Sequence, residues 1–436
     1  MSHRLDRDHL VEQMRRYGKP RTAWLTGIEL ERHLLDPGGQ PATYDAEGGV
    51  RWLLTQLQAD GWKPKFEGDN LIALTQGLAS VTLEPGGQFE LSGNPFARLE
   101  DIAAETTAFT RRVAELLEGT PYRQLMMGLT PLADVHHIGW MPKGRYVIMR
   151  EHMAQSGPLG HHMMKGTAAT QASYDYSDEA DAAAKVQLAI RVAPLVTAMF
   201  ANSPLEQGRP TGFKSYRGFI WTRTDPARTG FPAAATAFSF GAWVDYLLDA
   251  PMMFTHVGGA WQAAHGRTFR AWMTEGDAEG RFPTEADWDL HQTSVFPEVR
   301  VKHLIEVRMA DCVPGDDVIA LAALFKGLLY GAATSPAALD LADRFTHHGT
   351  QNERFLLACK DGLAGDHAGR PFAAWAEELV DVARSGLEAF APGEGRWLDG
   401  LAARVAAGET LADRVLSAGP DAWTRDGLRG LLNSDR

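Results

Sequence analysis

The chain has 436 residues, 44% hydrophobic and 22% charged, a composition that supports a substantial folded core and excludes disordered and fibrous classes. Lys and Arg number 43 against 55 Asp and Glu, and the formal charge of −12 disfavours a general nucleic-acid binder, which needs a basic face for phosphates. Cys312 and Cys359 are the only cysteines, too few for a disulfide framework or a thiolate zinc site, and no thiol switch is expected.

In chain order, the opening MSHRLDRDHLVEQMRRYG has no apolar h-region, and its acids argue against a transit peptide. No later stretch offers about 18 uncharged apolar residues, so the expected address is the cytoplasm, with no membrane partner. Residues 24–35 alternate Ile28 and Leu30 with Glu29 and Glu31, as a strand with two acids on one face would. A helix at about 46–60 is followed by LIALTQ, QGLAS and SVTLE, short runs bounded by turn residues that predict antiparallel sheet. Residues 99–118 set Ile102, Phe109, Val113 and Leu116 at helical spacing, and Glu105 leans toward that stripe, where it needs a partner. Ser177 reads as the N-cap of a long apolar helix running to Phe200, which Pro194 should kink. KSYRGFIWTR at 214–223 and VKHLIEVRMAD at 301–311 read as strands, while WVDYLLDAP and IALAALFKGLLYG read as helices. Residues 335–433 are Ala/Leu-rich and helical.

Two constellations carry chemistry. The first is carboxylate: Glu29 and Glu31, Glu84 and Glu90 around LEPGGQFE, and Glu306 in IEVR. Magnesium takes oxygen ligands, usually one or two carboxylates with phosphate oxygens and water, and acids on rigid strands suit it. The same spacing also describes the solvated face of a half-open sheet. The second is cationic: Arg145, Arg217, Arg228, Arg300, Lys302 and Arg308, with Glu306 and Arg308 on one strand face. The loop EPGGQFE matches neither a Walker A loop nor a dinucleotide fingerprint and reads as a turn. The pairs His136–His137 and His161–His162 lack zinc spacing, and no GxSxG elbow is present.

The words GDNLIALTQG, SVTLEPGGQFELSG, MPKGRYVIMREHM, FANSPLEQGRPTGF, IWTRTDPARTG, WVDYLLDAPMMF and FPEVRVKHLIEVRMAD, in this order over about 24–331, resemble the plant and proteobacterial glutamate–cysteine ligases. The resemblance implies an α+β fold similar to glutamine synthetase and the guanidino kinases, with a curved, mainly antiparallel sheet forming a funnel and helices behind it. It divides the chain into a catalytic domain over 1–334 and a helical region over 335–436 packed on it. It also implies an ATP-dependent, ADP-forming ligase that phosphorylates the γ-carboxyl of glutamate and passes it to the amine of cysteine, on the way to glutathione. An alternative is a same-family enzyme with another amine or carboxylate, or a non-catalytic relative. By the same resemblance Glu29, Glu31, Glu84, Glu90 and Glu306 bind Mg²⁺, with Glu29, Glu306 and Arg308 catalytic. Arg145, Arg217, Trp221, Arg228, Arg300 and Lys302 hold substrates or ATP. Partners are small molecules only, and the chain is expected as a monomer or homodimer. Gly166, Ser173 and Lys326 depart from the family pattern, where arginine, asparagine and an apolar residue are expected, and they bear on the choice of amine.

Overall fold

The computed structural model describes residues 4–434, and its organising element is strand β1 (Thr26–Leu35). The sheet continues through β2 (Lys63–Glu67), β3 (Asn70–Gln76), β4 (Ala79–Leu83), β5 (Phe89–Ser92), β6 (Arg123–Leu125), β7 (Thr170–Tyr174), β8 (Val299–Val301) and β9 (Ile305–Val307). Their order is β8-β9-β7-β1-β5-β4-β3-β2, with β6 paired to the end of β1, and every pairing in this nine-stranded sheet is antiparallel. The expected α+β class with a large antiparallel sheet is what the chain adopts.

Alternation along β1 turns Ile28 and Leu30 into the core and leaves Glu29 and Glu31 on the other face. Helix α1 (Leu99–Leu117) buries Ile102, Phe109 and Val113, and Glu105 finds its partner in Asn94, whose backbone amide donates to it at 3.0 Å. Helix α4 (Glu179–Met199) is long and apolar enough to cross a membrane, yet most of it is buried as a core helix. Pro194 lies inside that helix without ending it. Its cap is Asp178 rather than the expected Ser177; the Asp178 side chain accepts from the Asp181 amide, while the Ser177 amide donates to the Asp181 carboxylate.

Two strand expectations fail for identifiable reasons. Residues 214–223 contain helix α5 (Tyr216–Trp221), because Ser215 Oγ accepts from the Gly218 amide as a cap and donates to Asp311 at 2.8 Å. That tertiary contact overrides the strand-like composition. Residues 301–311 include a turn at 302–304 joining β8 to β9. Three turn residues preserve the odd–even parity of the pattern, so Val299, Val301, Ile305 and Val307 share a face and the hairpin reads as one long strand. Strand β7, absent from the sequence expectations, is short and buried at every residue, and it carries no charged side chain to mark its polar face.

Helix α6 (Asp316–Lys326) packs behind β1 and β7, and α7 (Phe372–Phe390) packs against α6 and α4. Lys326, an ammonium in an apolar run, is buried; it donates to the Ala97 carbonyl at 2.7 Å and pairs with Glu394. The other Glu394 oxygen accepts from the Leu99 amide at 2.9 Å, at the start of α1, where Arg98 supplies no side-chain cap. The departure at Lys326 therefore ties the C-terminal helices to the sheet and does not reach the polar face. Glu394→Ala leaves that ammonium buried without its counter-ion and is expected to cost about 3 kcal/mol. Calorimetry should show the lower unfolding midpoint, and a midpoint equal to the parent's would contradict this placement.

Candidate active site

The polar face of the sheet is written in register. One row runs across the strands as Gln171, Glu29, Ser92 and Ser80; the next pairs Glu31, Glu90 and Thr82; a third pairs Arg300, Glu306, Ser173 and Gly27. Directly opposite residues in an antiparallel sheet share a face, so three acids from β1 and β5 converge with the charges of the β8–β9 hairpin. Over this face lie two connected chambers. The inner one, about 520 Å³, is lined by Glu31, Glu84, Gln171, Arg217 and Arg308, with an apolar wall that includes Met149, Met163, Met164, Trp221 and Phe296. The outer one, about 940 Å³, adds Glu29, Glu90, Lys143, Arg145, Arg300 and Lys302.

Glu84 comes from the β4–β5 connection and Glu90 from β5 just after it. The Gly87 amide donates to the Glu84 carbonyl and the Glu84 amide to the Gln88 carbonyl, both at 2.9 Å, with Gly87 at φ +90°. This is a three-residue hairpin loop closed by a glycine bulge. Gly86 is required for another reason: a Cβ there would lie 2.2 Å from the Lys165 carbonyl oxygen. The glycines thus make a tight turn and a close backbone approach, and no phosphate cradle. Gln88 locks the loop, its amide donating to the Thr167 carbonyl at 2.7 Å.

The electrostatics divide the face in two. Burial, then Glu306 and Glu90, push Glu29 up to about 7; burial, then Glu84 and Glu90, push Glu31 well above the carboxylate range. Glu90 is raised by burial and by Glu84, and it accepts from Thr82 Oγ1 at 3.0 Å and Ser92 Oγ at 3.1 Å. Glu306 behaves oppositely. Burial raises it, but Arg300, Arg308 and Lys302 hold it far below the usual range. Arg300 forks onto both its oxygens at 2.7 and 2.9 Å, and Arg308 Nη1 donates to Oε1 at 2.6 Å and also to Gln171.

The acids on β1 and β5 are raised first by burial and then by neighbouring acids, more than Arg217, Arg300, Lys302 and Lys143 draw them down, which is the electrostatic signature of a site for added positive charge. Among the described residues no three His, Cys, Asp or Glu side chains converge into a complete metal cage. Mg²⁺ keeps water and phosphate oxygens in its shell and usually takes only one or two carboxylates from a protein, so a complete cage is not what it requires.

Of the residues singled out from sequence, Glu29, Glu31, Glu84, Glu90, Arg145, Arg217, Trp221, Arg300, Lys302 and Arg308 line the two chambers. Two do not. Arg228 is fully buried, bonded to Asp225 at 2.9 Å and to the Ser294 and Pro251 carbonyls, so it braces the chamber wall from behind. Glu306, counted among the metal ligands from sequence, has both oxygens taken by arginines. Gly166 faces Leu129 and Val135, whose methyl carbons would lie 3.1 and 3.0 Å from a Cβ, and not the chamber. Sequence reasoning missed Lys143, which lines the outer chamber and donates to the Leu83 carbonyl at 2.7 Å; burial, then Arg145, lower it to about 8. It also missed Gln171 and the three methionines. Lys143 stands in MPKGRY beside Arg145, a signal available in the sequence; Gln171 sits in the unrecognised strand.

The family model described as glutamate–cysteine ligase family 2 matches residues 25–431. The chain is 36% identical over 430 residues to a chloroplastic glutamate–cysteine ligase of Brassica juncea, covering 96% of this chain and 82% of that protein. It is 35% identical to the chloroplastic enzyme of Medicago truncatula, with 96% and 83% covered. Among solved structures it is similar to a glutamate–cysteine ligase of Francisella tularensis in complex with AMP, at TM-score 0.61 and 13% identity, covering 95% of this chain and 89% of that one. These relatives overturn the cytoplasmic address: the plant enzymes are chloroplastic. That expectation rested on the lack of an apolar h-region or span, features an enzyme inside a plastid shares with a cytosolic one, and on N-terminal acids read as arguing against a transit peptide.

Proposed function

This chain belongs to glutamate–cysteine ligase family 2, and from that premise we propose how its two chambers divide the work. The enzyme is an ATP-dependent ligase that joins the γ-carboxyl of L-glutamate to the amine of L-cysteine, giving γ-glutamylcysteine. The observation that carries the assignment of parts is the register: Glu29, Glu31 and Glu90 meet side by side on β1 and β5, across Gln171 from Arg308.

In this reading Glu29, Glu31, Glu84 and Glu90 are the residues that would hold Mg²⁺, which would supply positive charge beside the triphosphate. Phosphoryl transfer needs positioning and charge neutralisation more than a protein nucleophile. Arg300, Lys302 and Arg308 face the transferring phosphoryl group, with Glu306 as the buried anion that aims the two arginine forks. Lys143 and Arg145 supply further positive charge at the outer chamber. The γ-carboxylate of glutamate attacks the terminal phosphorus, ADP leaves, and an acyl phosphate remains. The cysteine amine, as the free base, then attacks the acyl carbon and expels phosphate.

Arg217 in the inner chamber takes a substrate carboxylate. The methionines, Trp221 and Phe296 exclude water, which would otherwise hydrolyse the acyl phosphate. The helices beyond residue 335 contribute nothing to either lining and act as a buttress.

The test is ADP release with Mg²⁺, ATP and glutamate, comparing cysteine with a panel of other amines and including Glu29→Gln. Turnover selective for cysteine and abolished in the variant is expected. Turnover only with another amine, or an active Glu29→Gln enzyme, would contradict the reading.

A further inference from the structure

One buried carboxylate with no part in the mechanism above gathers the segments that carry the two arginines of the inner chamber. Asp311 lies three residues beyond Arg308, where the backbone leaves β9. A bridge to Ala169 holds it in the sheet, and the next amide, that of Cys312, donates to the Ala168 carbonyl at 3.0 Å. The side chain is buried against bare backbone: a Cβ on Gly128 would lie 2.5 Å from its Cγ. Three donors converge on it. Oδ2 accepts from the Asn202 amide and from Ser203 Oγ, both at 2.7 Å, and Oδ1 accepts from Ser215 Oγ at 2.8 Å.

A carboxylate only accepts, so both serine hydroxyls donate their protons to it and turn their lone pairs the other way. Ser203 Oγ accepts from the Arg217 amide at 3.0 Å, and Ser215 Oγ accepts from the Gly218 amide at 3.1 Å. Two relays therefore run from consecutive amides of α5, each through one hydroxyl, to a single anion fixed on the sheet. From α5, Arg217 and Trp221 reach the inner chamber. Arg217 Nη2 donates to the Arg308 carbonyl at 3.0 Å, and its Nε is buried with no hydrogen-bond partner, a donor left for an incoming acceptor. The same stretch has other ties: the Ser203 amide donates to the Lys214 carbonyl at 3.0 Å and the Ser215 amide to the Cys359 carbonyl at 2.9 Å. Those bonds fasten α5 to its helical neighbours. Asp311 fastens it to the strand that carries Arg308.

We propose that Asp311 is a positioning residue: through Ser203 and Ser215 it sets α5 in register with β9, so that Arg217 meets a substrate carboxylate at a fixed place relative to Arg308. This rests on the reading that Arg217 takes that carboxylate. In Asp311→Asn one acceptor becomes a donor, and one serine is left with a proton it cannot place in a buried site. The first turn of α5 then shifts to find another acceptor, and a displacement of about 1 Å at a binding group is enough to be felt in affinity and rate.

The experiment compares Asp311→Asn, Ser203→Ala and Arg217→Lys with the parent enzyme. Calorimetry gives the affinities for glutamate and for Mg²⁺ with a non-hydrolysable ATP analogue, ADP release gives KM and kcat, and thermal unfolding gives the midpoint. Glutamate affinity is expected to fall at least tenfold in Asp311→Asn and at least threefold in Ser203→Ala. The loss should appear in the KM for glutamate more than in kcat, with nucleotide affinity within twofold of the parent. Ser203→Ala keeps the Asn202 and Ser215 bonds to Asp311, so it decides the matter if Asp311→Asn does not fold. Either variant, folded and binding glutamate within twofold of the parent, overturns the proposal. So does an equal loss of glutamate and nucleotide affinity, the mark of a general loosening of the fold. Undiminished glutamate binding in Arg217→Lys would defeat the reading of Arg217 and the proposal with it; a loss there with none in Asp311→Asn would defeat the proposal alone.

Discussion

Arg308→Lys is expected to lower kcat by roughly 10³-fold, the scale on which arginines at transferring phosphoryl groups act, with little change in the KM for cysteine. Arg308 uses one guanidinium nitrogen to reach both Glu306 and Gln171, and it faces the acids of β1 across the same row of side chains. A lysine ammonium has no planar fork, and it cannot keep both partners while presenting further donors to a phosphoryl group. The ion pair with Glu306 would survive, because Arg300 already forks onto that carboxylate. Folding should accordingly be preserved, and single-turnover measurements should place the loss in the chemical step. A loss of less than tenfold would remove Arg308 from phosphoryl transfer.

A second large effect concerns pH and magnesium. The folded enzyme holds Glu29, Glu31, Glu90 and Glu298 above their unfolded range, Glu29 and Glu298 at about 7. Between roughly pH 4.5 and 7 the native state therefore binds more protons than the unfolded chain, and stability contributed by these groups falls as pH rises. His33 and His291, lowered by burial to about 4, act in the other direction, but their contribution is complete once pH exceeds about 6.5. From pH 7 to 8.5 the raised acids go on losing stability while the buried Lys143 and Lys185, lowered to about 8, contribute in the opposite direction, so the ligand-free midpoint is not set by the acids alone. The discriminating quantity is the shift in unfolding midpoint caused by Mg²⁺ with a non-hydrolysable ATP analogue, which should be larger at pH 8.5 than at pH 7 because the carboxylates that meet the metal are then ionised. A ligand-induced shift independent of pH, or equal with and without Mg²⁺, would show that these carboxylates do not meet the metal.

The contrast among the charged residues explains how much of the site was legible. Glu29 and Glu31 could be placed on one strand face because β1 is half-covered, and half-covered strands alternate. Arg300, Glu306 and Arg308 were legible although β8 and β9 are buried throughout, because charged residues alternate there with valine and isoleucine, and the turn between the strands was not, since it keeps the parity of the pattern. Gln171 was invisible because β7 is buried on both faces. Arg228 looked like its neighbours in sequence and proved to be a brace, since only its position relative to Asp225 and two carbonyls distinguishes it from a substrate ligand.

By itself, then, the sequence determined the class of fold, the faces of its polar strands and the family, through local periodicity and ordered words that survive without knowledge of contacts. The tertiary structure alone decided which charges meet. Residues as far apart as Glu31, Gln171 and Arg308 come together only when strands from distant parts of the chain pair in one register. The role of Lys326 was likewise set there, because a buried charge is defined by its counter-charge, and Glu394 is no neighbour in sequence.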